Sequence, residues 1–165
     1  MKPIYRKLVI VWLGILAIMI VGIGIMDRTS QPNSVKPRAD DIYSDINLYR
    51  VHNGLPRLAI DPRLELSAEI KAAWLDDQDL WGHYRSDIST EVRFAGKYYF
   101  SIGENLAEGF SSGREVVVAW EYSPEHNEIL LGDYQDMGIF IRCREHLLAE
   151  DDPYNCLVVL HMGGN

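Results

Sequence analysis

Three short stretches of the chain hold the side chains that could do chemistry. They are Trp81-Gly82-His83-Tyr84, Ile102-Gly103-Glu104-Asn105-Leu106-Ala107-Glu108-Gly109 and Trp120-Glu121-Tyr122-Ser123-Pro124-Glu125-His126. Brought together, His83, Glu104 and His126 would form a small polar site of two imidazoles and a carboxylate. Such a donor set suits zinc or a similar divalent cation. With a metal-bound water, Glu104 could serve as a general base in metal-assisted hydrolysis. Without one, the same three residues and Asn105 could hydrogen-bond a ligand.

Each residue also has a plainer reading. His83 could be a loop histidine with no role. Glu104 sits in a run of small and apolar residues, where an ionised carboxylate needs donors or cations, so it could cap the amides of a neighbouring loop. Asn105 could fix its own loop by side-chain to backbone hydrogen bonds. Glu108 reads as a solvated acid. Glu125 could hydrogen-bond His126, stand behind a cation, or face water.

Helices must position these stretches. Ile42, Ile46 and Tyr49 recur at helical spacing, which predicts a first helix from about Asp40 to Asn53. Asp40 or Asp41 could cap it, and Gly54 can take the left-handed conformation that stops it. Leu55 to Ile60 reads as extended. Asp61-Pro62 is a strong helix start, and the second helix runs to about Asp79 with Leu64, Ala68 and Leu75 inward. Asp87 to Ala95 is expected to be a short helix, capped by Ser86 or Asp87. Ser112-Gly113-Arg114-Glu115 is a capping box opening a further helix, which Ser123-Pro124 ends. Ile129-Leu130-Leu131 then packs inward.

Two strands close the chain, Met137 to Cys143 and Cys156 to Met162, both rich in β-branched and large apolar residues. The charged segment Arg144 to Asn155 reads as their hairpin loop. Cys143 ends one strand and Cys156 begins the next, so the two could face each other. Outside the cytoplasm a disulfide there is the expectation; two separate buried thiols are the alternative.

The beginning of the chain points to a membrane. The 165 residues carry a formal net charge of −8. Lys2, Arg6, Lys7 and Arg28 against Asp27 give the first 28 residues a net +3, which leaves −11 on the remainder. Leu8 to Met26 contains no charge and is long enough to cross a hydrocarbon core of roughly 30 Å. Basic residues before it place residues 1–7 in the cytoplasm. The expected organisation is a cytoplasmic stub (1–7), a transmembrane anchor (8–26), a flexible linker (27–39) and an extracytoplasmic domain (40–165). Secretion after signal cleavage is the alternative. The acidic body repels phosphate backbones, which argues against nucleic acid as a partner.

Several of these motifs together resemble one family. Asn47-Leu48-Tyr49-Arg50, Asn53-Gly54-Leu55-Pro56-Arg57-Leu58, Asp61-Pro62-Arg63-Leu64, Gly82-His83, Gly103 to Gly109 and Trp120-x-x-Ser123-Pro124-x-His126 follow the order and spacing of the CAP superfamily domain. That family groups cysteine-rich secretory, antigen-five and pathogenesis-related proteins, and the pattern here resembles its bacterial branch. The resemblance implies an α+β fold, a three-layer α-β-α sandwich with a small, mainly antiparallel sheet. It also implies site roles for His83, Glu104 and His126. Relatives commonly have Gly-His-Arg after the Ser-Pro; here the residues are Glu125, His126 and Asn127, so an anion clamp is in doubt. Members with the eukaryotic pattern carry a further site histidine on the last strand. Its matching position is near Leu157, so the resemblance gives His161 no role and leaves the expected four-residue site incomplete or rearranged.

No phosphate-cradling glycine loop or His-Glu-x-x-His is present. Three readings of function remain. The first is a membrane-tethered module that binds a lipid, glycan or protein of the envelope or exterior, with or without a divalent cation. The second is a metal-assisted hydrolase using Glu104. The third is a structural or adhesive envelope domain.

Overall fold

The computed structural model describes residues 36–83, 99–143 and 156–165. The expected anchor, the helix expected over Asp87 to Ala95 and the Arg144 to Asn155 segment lie outside the described residues.

The described elements are α1 (Ala39–His52), β1 (Ala59–Ile60), α2 (Pro62–Asp77), β2 (Ser101–Glu108), α3 (Gly113–Tyr122), α4 (Pro124–Leu130), β3 (Asp136–Cys143) and β4 (Cys156–Gly164). Helices and a small sheet alternate irregularly, which makes the domain α+β, as expected. The four strands lie in the order β1-β3-β4-β2. The β3–β4 and β4–β2 pairs are antiparallel, and the two-residue β1 runs parallel to β3.

Strand alternation divides the core in two. Met137 and Ile139 of β3, Val158, Leu160 and Met162 of β4 and Ala107 of β2 pack with α1, α3 and α4. The alternate positions Phe140, Val159 and Leu106 pack with Ala68, Ala72 and Leu75 of α2. Successive strand side chains point to opposite faces, so one sheet serves both clusters. Helices therefore cover both faces, α2 on one and α1, α3 and α4 on the other.

Local chemistry explains most element ends. Asp61 Oδ1 accepts from Arg63 N at 2.8 Å at the start of α2, with Pro62 in the first turn. Ser112 Oγ accepts from Glu115 N at 3.3 Å, and Glu115 reaches back to Ser111 N at 3.0 Å, one residue before the expected capping-box partner. Gly54 has φ of 75° after α1, where a side chain would be strained.

Three expectations need correction. Neither Asp40 nor Asp41 caps α1: the N-cap is Arg38, in extended conformation and without a side-chain cap bond, and both acids sit inside the first turn facing the positive end of the dipole. Ser123-Pro124 ends α3 but also begins α4, because proline fits the first turn of a helix. The Glu104 stretch is not a loop but strand β2, fully paired with β4. Ile102 is its one β-branched residue, and its small ones are needed for close packing. A Cβ on Gly103 would lie 2.7 Å from Tyr134 Oη and 2.9 Å from Ile129 Cγ2.

The disulfide is present. Cys143 and Cys156 are direct register partners across β3 and β4 and are bonded to each other.

Candidate functional site

Glu104 and Asn105 are neighbours on β2 and point to opposite faces of the sheet. Glu104 faces α2 and Asn105 faces α4, which brings groups from both sides to the β2 margin. This is where the sequence-derived residues meet.

The carboxylate of Glu104 is only 10% exposed. Its Oε1 lies 2.7 Å from His83 Nδ1, and its Oε2 lies 3.1 Å from His161 Nε2 and 3.5 Å from Lys71 Nζ. Burial alone would raise its pKa. The hydrogen bond and charge of His161, the charge of Lys71 and the hydrogen bond from His83 outweigh burial and hold Glu104 below the usual carboxylate range. Glu104 is thus ionised at neutral pH, and both its oxygens are engaged.

His161 and Lys71 come from elements that the motif reading left aside. His161 is fully buried and is the register partner of Glu104 across β2 and β4. Its Nδ1 contacts Ser67 Oγ at 2.6 Å, and Ser67 Oγ donates to Leu64 O at 2.9 Å. Ser67 and Lys71 are one helical turn apart on the buried stripe of α2. Of the two expectations for the last strand the rearranged one fits: His161, four residues beyond the position near Leu157, meets Glu104. Two signals for this existed in the sequence. His161 interrupts the apolar run of the last strand, and Ser67 and Lys71 fall at i and i+4 among the apolar positions of α2.

The residue types of Ser67, His161 and Glu104 match a hydrolytic triad, but their placement does not. Ser67 is fully buried beneath the sheet, with its hydroxyl on the Leu64 carbonyl. A nucleophile must be reachable by the substrate carbonyl, and this one is enclosed.

The outer part of the site is made of imidazoles. His83 is half-exposed, and its ring centroid lies 6.3 Å from that of His126. The second residue of α4 after Pro124, His126 bonds Ser123 Oγ through Nδ1 at 2.9 Å. Desolvation, and then the charge of His83, push the His126 pKa down, while Glu125 pulls it up. Glu125 itself is exposed, and the hydrogen-bond partner of His126 is Ser123.

Asn105 positions this second histidine. It is fully buried, and its Nδ2 donates to the His126 carbonyl at 3.1 Å. Asn127, where arginine was expected, accepts from Tyr49 Oη at 2.9 Å and ties α4 to α1. Arg50 completes the support: buried, it donates to Leu130 O at 2.8 Å and Gly132 O at 2.9 Å at the end of α4. Trp120 Nε1 donates to Leu106 O at 3.0 Å and pins α3 to the site strand.

A metal ion at His83, Glu104 and His126 would need their donor atoms to converge. Among the described residues, no three His, Cys, Asp or Glu side chains are placed to hold one ion. The cause is local: the Glu104 oxygens face two imidazole nitrogens and an ammonium. The donor set does not fit a dication as it stands.

Residues 43–157 match the cysteine-rich secretory protein (CAP) family. The chain belongs to the CAP family. Among curated proteins it is 34% identical over 116 residues to the uncharacterized protein YkwD of Bacillus subtilis (strain 168), a stretch that is 67% of this chain and 45% of YkwD. The chain thus spans under half the length of that relative. An outer surface protein of Borrelia burgdorferi is similar in structure, with a TM-score of 0.63 and 26% identity over 77% of this chain and 94% of that one. An extracellular SCP-domain protein of Bacillus anthracis str. Ames gives a TM-score of 0.63 at 18% identity, covering 76% of this chain and 40% of its own. A cysteine-rich secretory protein of Staphylococcus aureus subsp. aureus Mu50 gives 0.57 at 16% identity, covering 84% of this chain and 41% of that one. The last two likenesses concern the fold alone. The bacterial relatives place the chain in the bacterial type of CAP domain.

Proposed function

We propose that this chain is a membrane-tethered, extracytoplasmic CAP domain that binds an envelope or extracellular ligand at the His83–His126 face. The observation that carries this reading is the layered build of the site. Buried Lys71 and His161 hold the Glu104 carboxylate, and the rings of His83 and His126 stand 6.3 Å apart beside it. A convergent pair of imidazoles held by fixed partners is suited to hydrogen-bonding a polar ligand. The uncharged run Leu8 to Met26, with basic residues before it, supports the tether. Support for the location also comes from the relative described as an outer surface protein.

Hydrolysis with Glu104 as general base is the weaker reading. A carboxylate with a depressed pKa and both oxygens hydrogen-bonded is a poor base for a water.

The test is co-sedimentation of the full-length chain in detergent micelles with two probes, insoluble cell-wall glycan and phosphatidylglycerol vesicles. Retention on one probe, reduced at least about tenfold in both His83→Ala and His126→Ala with unfolding midpoints near the parent's, supports binding at this face. Retention untouched by both substitutions moves the binding surface elsewhere. Turnover of either probe that disappears in Glu104→Gln would instead favour the hydrolase.

A further inference from the structure

Beneath the His83–His126 face lies a cation that belongs to the chain itself. Lys71 is 1% exposed, and its Nζ stands 3.5 Å from Glu104 Oε2. An ammonium is not buried without a counter-charge, and a carboxylate at 10% exposure needs the same. The two groups meet each other's requirement. His161 Nε2 and His83 Nδ1 complete the shell of the carboxylate at 3.1 and 2.7 Å.

This arrangement bears on what the His83–His126 face accepts. A dication entering between His83 and His126 would find the Glu104 charge already matched. It would also meet the Lys71 charge in surroundings that screen poorly. To gain a carboxylate ligand it would have to displace an imidazole from one of the two oxygens. Each outer imidazole uses Nδ1 on the protein, on Glu104 for His83 and on Ser123 for His126, which leaves Nε2 as the nitrogen that can meet a ligand.

We propose that Lys71 is the resident cation of this site, taking the place of a metal ion, so that the site recognises a polar ligand through its imidazoles without a bridging dication. The inference rests on the reading of the His83–His126 face as the binding site and narrows its ligand class. Lys71 acts through Glu104 and is a positioning residue. An uncharged side chain of similar length at this position opens the site to zinc.

The experiment is a zinc chloride titration by calorimetry near neutral pH. It uses the full-length chain in detergent micelles as parent, Lys71→Met, Lys71→Arg and the double variant Lys71→Met with His83→Ala. Lys71→Met is expected to bind zinc at least about tenfold more tightly than the parent, because a neighbouring like charge has gone. Lys71→Arg is expected to behave as the parent, and the double variant is expected to lose the gain. No gain in Lys71→Met overturns the proposal. So does stoichiometric zinc binding by the parent that His83→Ala abolishes. Should Lys71→Met fail to fold, Lys71→Gln carries the same comparison. Because zinc alone is the probe, this result is separable from the glycan and vesicle sedimentation, which tests the binding function itself.

Discussion

His161 and Glu104 are register partners across β2 and β4, and their side chains meet at 3.1 Å on the α2 face of the sheet. This contact joins a buried half of the site to an outer half, and the two halves should respond differently to truncation. His161→Ala leaves Ser67 and Glu104 each short of a partner away from water, and a stability loss of about 1–3 kcal/mol is expected. His83→Ala removes a half-exposed group from the same carboxylate, and less than about 1 kcal/mol is expected. Urea midpoints of the two variants check the difference. Equal losses would contradict the division.

Acid should weaken the fold through two groups with the same sign. Glu104 has a lowered pKa, so its contribution is present above the ordinary glutamate value, about 4.3, and is lost as pH falls through its folded value. His126 is also lowered, chiefly by desolvation; its contribution is present above the ordinary histidine value, about 6.5, and is lost on acidification below it. Unfolding midpoints measured from neutral to acid pH should fall in the parent. They should fall less steeply in Glu104→Gln and His126→Gln. A parent profile that rises with acid would show the signs to be wrong.

Two glycines should fail for different reasons. A Cβ on Gly138 would stand 2.1 Å from Glu65 N, in the backbone of α2, so Gly138→Ala must push α2 off β3. A loss of roughly 3 kcal/mol, or no soluble folded protein, is expected. Gly54 has open space around it but φ of 75°, so Gly54→Ala should cost only about 1–2 kcal/mol. Thermal unfolding of both variants reads the order.

Trp120 is 1% exposed and bonds the Leu106 carbonyl of the site strand. Trp120→Ala should cost about 3–5 kcal/mol through the cavity it leaves. Trp120→Phe keeps most of the packing and loses the hydrogen bond, so about 1 kcal/mol is expected. Near-ultraviolet dichroism with denaturant unfolding separates the two.

The disulfide closes a loop with a sequence separation of 13. In the chain-entropy model such a loop is worth about 3 kcal/mol. Unfolding with and without reductant should show a shift of that order. Replacement of both cysteines by alanine should remove the reductant effect. An unshifted midpoint would mean that the β3–β4 pair is held by its hydrogen bonds and side-chain packing alone.

Much of this was legible in the residues. Asp61-Pro62, Ser112 with Glu115, and Gly54 set element ends by local hydrogen bonding and backbone preference, which depend only on near neighbours. The closing strands and the cysteine pair followed from β-branched runs and the position of Cys143 and Cys156 at facing strand ends. β2 was not legible. Its glycine, asparagine and alanine have low strand propensity, and only pairing with β4 and the crowding at Gly103 make them a strand.

The sequence by itself determined the family pattern and the α+β class, and it offered His83, Glu104 and His126 as candidates for one site. Those rest on residue types at set spacings and on local propensity. The tertiary structure decided what surrounds Glu104. His161 is 57 residues away in sequence and Lys71 lies on another element, and neither spacing says that a strand register and a helix face bring both to one carboxylate. That outcome depends on which face each element buries, and burial is a property of the whole packed domain.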